Sequence, residues 1–242
     1  MGILDSSARV VRGLAGGFME LLFPVHYCSV CGEALEEEEL GICGECLGKL
    51  PITFFESWKY NPMEERMDGR VKLVSAFSCY YFRQGERLRR LIHDFKYHGD
   101  QLIARDLGRA MGRRAMAAGF TAPYDALVPV PLHPKRLRKR GYNRSLLLAK
   151  GFSDVTGIPI MTDVLVRSTY TPTQTKLGAK KRYANVRNKF SLGKRADEAV
   201  GKTLLVIDDV FTTGATSESC CLALREIRDV RLGLACLAYV MG

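Results

Sequence analysis

The chain has 242 residues, 47% of them hydrophobic and 26% charged, with mean hydropathy −0.06. This composition excludes collagen-like and wholly disordered chains and leaves ample material for a core. The formal net charge is +10, and it is localised: residues 1–60 carry 4 basic and 9 acidic side chains, whereas 126–153 and 164–196 carry 7 and 9 basic ones and no acid. Acid-free basic stretches on that scale point to a polyanionic ligand, since merely solvated faces mix both signs.

Residues 1–23 read as an amphipathic helix, with Val10, Leu14, Phe18 and Leu22 spaced four apart and Pro24 ending it. Asp5, Arg9 and Arg12 occupy the place of a secretory apolar region. No window approaches the roughly 18–20 continuous apolar residues of a membrane span. The expectation is a cytoplasmic protein.

A cysteine module at 24–60 follows. Cys28 and Cys31, then Cys43 and Cys46, form two C-x2-C pairs eleven residues apart, with Gly32 and Gly44 allowing tight knuckles. Four thiolates complete the tetrahedron of a structural Zn²⁺ and leave no open position. Two disulfides or four reduced thiols are the alternatives; a cytosolic chain disfavours disulfides. Zinc would replace a core in a segment that has almost none. Cys79, Cys220, Cys221 and Cys236 stand in apolar contexts and read as buried small hydrophobes. Residues 51–70, with Pro51 and Pro62, read as an irregular connection.

Residues 61–242 then alternate. Strands are expected at 72–82, 126–131, 158–166, 203–208 and 230–240, with helices at 86–95, 101–118, 145–155 and 215–227. That order predicts an α/β domain with right-handed crossovers and a mostly parallel sheet. The stretch 167–194 is too long for an ordinary loop and reads as a functional flap or small subdomain.

The strongest chemical signal is LLVIDDVFTTGAT at 204–216. An apolar strand ends in Asp208 and Asp209, and a turn of small and hydroxyl residues opens a helix. Thr212, Thr213, Gly214, Ala215 and Thr216 can present backbone N–H groups to one anion at the helix N-terminus. Phosphate would repel the adjacent carboxylates, so they suit hydroxyls. A phosphorylated ribose offers both groups at that distance. A Walker B reading lacks its G-x4-G-K-[ST] partner, because Ala196 stands where the first glycine belongs. A plain capped helix is the bland alternative.

This stretch resembles the phosphoribosyl-pyrophosphate loop of type I phosphoribosyltransferases. Together with the paired cysteines, IHDFKYHG at 92–99, PVPLHP at 129–134, RGYN at 140–143, Thr173-Gln174 and RYAN at 182–185, it resembles the ComF family over nearly the whole chain. The resemblance implies a phosphoribosyltransferase-type α/β fold with a zinc-ribbon-like module. It also implies phosphoribosyl pyrophosphate bound with Mg²⁺ on 208–216, and single-stranded DNA handled during natural transformation. A competence helicase would be the partner, placing the protein in the cytoplasm or peripherally at the inner membrane face. One departure is Arg144, where many members carry Gln.

Arg136, Arg138, Lys139, Arg140, Tyr142 and Lys96 are the candidates for pyrophosphate or nucleic acid. One pyrophosphate needs only a few of the sixteen charges in the two basic stretches. The surplus, interspersed with Tyr142, Tyr170, Tyr183 and Phe190, fits a single strand whose backbone meets cations and whose bases stack on rings. Each ring could equally be core. His98 and His133 read as turn or surface residues. Two rival classes stay open: a working phosphoribosyltransferase of unknown acceptor, and a metabolite sensor that changes its affinity for DNA or partner.

Overall fold

A computed structural model describes residues 26–37, 39–82, 101–120, 123–168 and 189–241. The expected helices at 1–23 and 86–95, most of the flap and Lys96 lie outside them. In chain order the elements are α1 (Gly44–Gly48), a 3-10 turn (Phe55–Ser57), α2 (Pro62–Met67), β1 (Ala76–Tyr81), α3 (Gln101–Ala117), β2 (Ala126–Pro129), α4 (Pro134–Arg140), α5 (Arg144–Thr156), β3 (Leu165–Arg167), β4 (Phe190–Leu192), a second 3-10 turn (Ala196–Ala199), β5 (Thr203–Phe211), α6 (Ala215–Leu224) and β6 (Arg231–Tyr239).

Four strands form a parallel sheet in the order β1-β6-β5-β2. β5 and β6 are central and nearly continuously buried, as their unbroken apolar runs require. Helices α3 and α5 pack against each other, with Gly108, Gly112 and Gly151 at the crossing. A Cβ on Gly151 would stand 1.9 Å from the Arg105 carbonyl oxygen, and one on Gly108 would stand 2.2 Å from that of Leu148. Backbone therefore meets backbone there, and only glycine fits.

The structure corrects two expectations. Residues 51–70 are not irregular throughout: Asn61 caps α2 by accepting from the Met63 and Glu64 N–H groups, Pro62 sits at N1, and Met63 and Met67 are buried. Residues 158–166 are not one strand. Ile160 makes only an isolated parallel bridge to Leu127, the chain turns at Asp163 (φ +59°), and Leu165–Arg167 leaves the sheet to pair antiparallel with Phe190–Leu192. The two ends of the expected flap thus meet as a short antiparallel pair. β5 also runs three residues further than expected, carrying both acids within the strand.

Candidate functional site

The four module cysteines converge, with every Sγ within 4.8 Å of the others and Cys31 Sγ 3.7 Å from Cys43 Sγ. A tetrahedral Zn²⁺ with bonds of about 2.3 Å sets sulfur–sulfur edges of about 3.8 Å, so the arrangement fits that ion. No disulfide is formed. Protonation is in conflict here. Burial and the neighbouring thiols push Cys46 up, whereas at Cys28 burial is outweighed by the N–H groups of Cys43, Cys31 and Val30, leaving it at about 7. A divalent cation resolves such a conflict by ionising all four. The module is not isolated: Ile42 and Leu50 are buried in the common core. Asp106 of α3, itself buried, accepts from the Leu40, Gly41 and Ile42 N–H groups at 2.9, 2.7 and 3.2 Å.

At the C-terminal edge of the sheet, β5 delivers Asp208 and Asp209. Asp208 is 7% exposed. It accepts from Ser145 Oγ at 3.1 Å and from the Asp209 N–H at 2.9 Å. Burial, then the adjacent Asp209 charge, pushes Asp208 up to about 7, against the pull of those hydrogen bonds and of Arg144. Asp209 is half-buried and pairs with Arg144 Nη1. Asn143 sets this corner: its Oδ1 caps α5 on the Ser145 N–H, and its Nδ2 donates to the Val130 carbonyl at 3.0 Å beyond β2.

A cleft of about 190 Å³ opens over the two acids, with Arg136, Arg140, Arg144 and Arg167 around it and Thr216 at its rim. Burial and neighbouring cations lower both Arg140 and Arg167: Arg140 faces Arg144, and Arg167 faces Arg136. Arg167 stands over the buried Phe190 ring, and its buried Nε has no hydrogen-bond partner among the described residues. Guanidiniums crowded in this way are the donor set for a phosphate-type anion. Across α4 lies a second cleft of about 480 Å³, lined mainly by apolar groups such as Leu137, Tyr142, Leu147 and Met161; it shares Asn143 and Arg167 with the first.

Competence protein F of Haemophilus influenzae is 30% identical over 219 residues, covering 89% of this chain and 86% of that one. The chain belongs to the ComF family. The DNA utilization protein YhgH of Salmonella typhimurium is 29% identical, covering 89% of this chain and 80% of that protein. A solved purine phosphoribosyltransferase of Pyrococcus horikoshii overlaps 55% of this chain and 70% of its own, with 17% identity and a TM-score of 0.34. No family model matches.

In this ComF-family chain the sequence-predicted residues divide. Arg136 and Arg140 line the cleft, whereas Arg138 and Lys139 are exposed on the outer side of α4. Tyr142 is 9% exposed: its ring packs in the core and its accessible edge lines the larger cleft. Thr212, Thr213 and Thr216 are exposed around a buried Gly214. Sequence reasoning missed Ser145 and Arg167, and it marked Arg144 only as a family departure. No spacing signal joins these residues to Asp208, because Arg144 and Ser145 come from α5 and Arg167 from β3, all far from it in the chain.

Among the described residues no helix is long and apolar enough to cross a membrane.

Proposed function

We propose that this ComF-family protein binds phosphoribosyl pyrophosphate and couples that binding to single-stranded DNA. The 5′-phosphate would rest on the 212–216 turn, the ribose hydroxyls on Asp208 and Asp209, and the pyrophosphate, with Mg²⁺, toward Arg136, Arg140 and Arg167. The single observation carrying this reading is the cleft itself. Two carboxylates at a strand end face crowded guanidiniums beside a glycine-opened helix N-terminus, a combination that pairs hydroxyl acceptors with anion donors. The exposed Arg138 and Lys139 would follow a DNA backbone, in keeping with the competence and DNA-utilization names of the relatives. Zn²⁺ on the four cysteines would be structural, and a competence helicase would be the protein partner.

The larger apolar cleft favours a second reading, in which an acceptor enters there and attacks the sugar while pyrophosphate leaves. Stabilisation would then come from charge on the departing pyrophosphate. Calorimetry with Mg²⁺ and phosphoribosyl pyrophosphate tests the first reading. Asp208→Asn with Asp209→Asn should weaken binding about tenfold or more, and equal affinity would move the site elsewhere. Pyrophosphate release in the presence of bases, amines or DNA would establish the second.

A further inference from the structure

Two arginines lie behind the 212–216 turn, carried by α2 and the residues just after it. Arg66 Nη1 donates to the Thr212 carbonyl at 2.7 Å and to the Val240 carbonyl at 3.3 Å, and its guanidinium sits 4.9 Å from the centroid of the Tyr239 ring. Arg70 Nη1 donates to the Thr213 carbonyl at 2.9 Å and lies 3.6 Å from Glu218 Oε2 on α6. Their platform is itself fixed. Asn61 Nδ2 donates to the Ala76 carbonyl at 2.7 Å, and a Cβ on Gly214 would stand 3.1 Å from Met67 Sδ.

In a trans peptide the carbonyl of one residue and the N–H of the next point in opposite directions, and the chain has no cis peptide among the described residues. Holding the Thr212 and Thr213 carbonyls on the arginines therefore turns the Thr213 and Gly214 N–H groups away from α2. Gly214 completes the turn at φ +77°, a region glycine enters without penalty. Successive N–H groups turned to one side make an anion-binding concavity. Arg66 meets both carbonyls through one nitrogen, Nη1, while its planar guanidinium rests over the Tyr239 ring, a footing that a compact ammonium does not share.

We infer that Arg66 and Arg70 are positioning residues for anion binding at the 212–216 turn. They set the orientation of the Thr213 and Gly214 amides from behind and do not touch the ligand. The inference rests on the reading of that turn as the 5′-phosphate site.

The test is an amide-resolved NMR titration of the full chain with inorganic phosphate and, separately, with phosphoribosyl pyrophosphate. In the wild type the Thr213 and Gly214 amides should shift with either anion. Arg66→Gln with Arg70→Gln should lower both affinities about tenfold or more, with the cysteine-module resonances unmoved. Arg66→Lys with Arg70→Lys keeps the charge and loses the planar group that carries Nη1 to the carbonyls, so it should lose most of the affinity too. Wild-type affinity in the Lys pair would mean that charge alone acts, and the inference would be overturned. It would be overturned equally if neither amide of the wild type responds to phosphate. Should the Gln pair fail to fold, Arg70→Gln alone should blunt the Gly214 response, and an unchanged response would count against the role. If phosphate moves both amides and the sugar pyrophosphate binds no more tightly than phosphate, the positioning stands and the ligand reading falls.

Discussion

Asp208 is the residue on which the site's pH behaviour turns. Its carboxyl lies at about 7 in the folded chain, well above the roughly 3.9 of an unfolded aspartate. Between those values the folded state holds a proton that the unfolded state has released. Stability from this group is therefore complete below about pH 4 and is lost as pH rises through about 7. Thermal melts of the ligand-free protein from pH 4 to 8 should show that decline, on the order of a few kcal/mol, and Asp208→Asn should flatten it. A variant as steep in pH as the wild type would contradict the assignment. If Asp208 accepts from ribose hydroxyls, affinity for phosphoribosyl pyrophosphate should rise over the same window. Tyr142 belongs to a different account. With most of the ring packed in the core, Tyr142→Ala should cost about 3 kcal/mol of stability, read by denaturant unfolding, whether or not it also changes DNA binding.

Among the elements, helix α3 joins the two halves of the molecule. One side holds the cysteine module through Asp106, and the other meets α5 at the glycine crossing. Asp106→Ala would leave three N–H groups without their acceptor, each costing about 1–3 kcal/mol if buried and unpaired. Hydrogen exchange should then quicken across 39–50 while zinc content stays at the wild-type level. Cys28→Ser should do the reverse at its origin, losing the metal first. Because Ile42 and Leu50 share the common core, the disturbance should reach α3. Gly151→Ala drives a methyl group into the Arg105 carbonyl. Neither helix can yield without moving its whole length, so a loss of about 2 kcal/mol or more is expected on denaturation.

Taken whole, the molecule separates two uses of positive charge that the sequence runs together along one basic stretch. Helix α4 puts Arg136 and Arg140 toward the acids and leaves Arg138 and Lys139 exposed. Arg138→Ala with Lys139→Ala should flatten the salt dependence of single-stranded DNA binding by roughly 0.7 in log–log slope per lost phosphate contact. Binding of phosphoribosyl pyrophosphate should stay unchanged. Arg140→Ala should weaken the sugar pyrophosphate. If both variants alter only the sugar pyrophosphate, the basic surface serves the cleft alone and the transferase reading gains.

What the sequence determined by itself is local. The cysteine tetrad lies within nineteen residues, Cys28 to Cys46, and the strand, acids, turn and helix follow one another over 204–216. Such signals survive in one dimension because neighbours in the chain are neighbours in space. The parallel sheet was legible for a related reason, since alternating strand and helix periods leave few ways to close a core. Tertiary structure alone decided the rest. Arg144 reaches Asp209 across 65 positions, Asp106 reaches Gly41 across 65, and Arg66 reaches Thr212 across 146. The first and third exist because the sheet ends its strands at one edge, beside the starts of α5 and α6, and the second because α3 packs the cysteine module onto the common core. An isolated arginine or aspartate has no periodicity to announce which distant carbonyl or carboxylate it will meet.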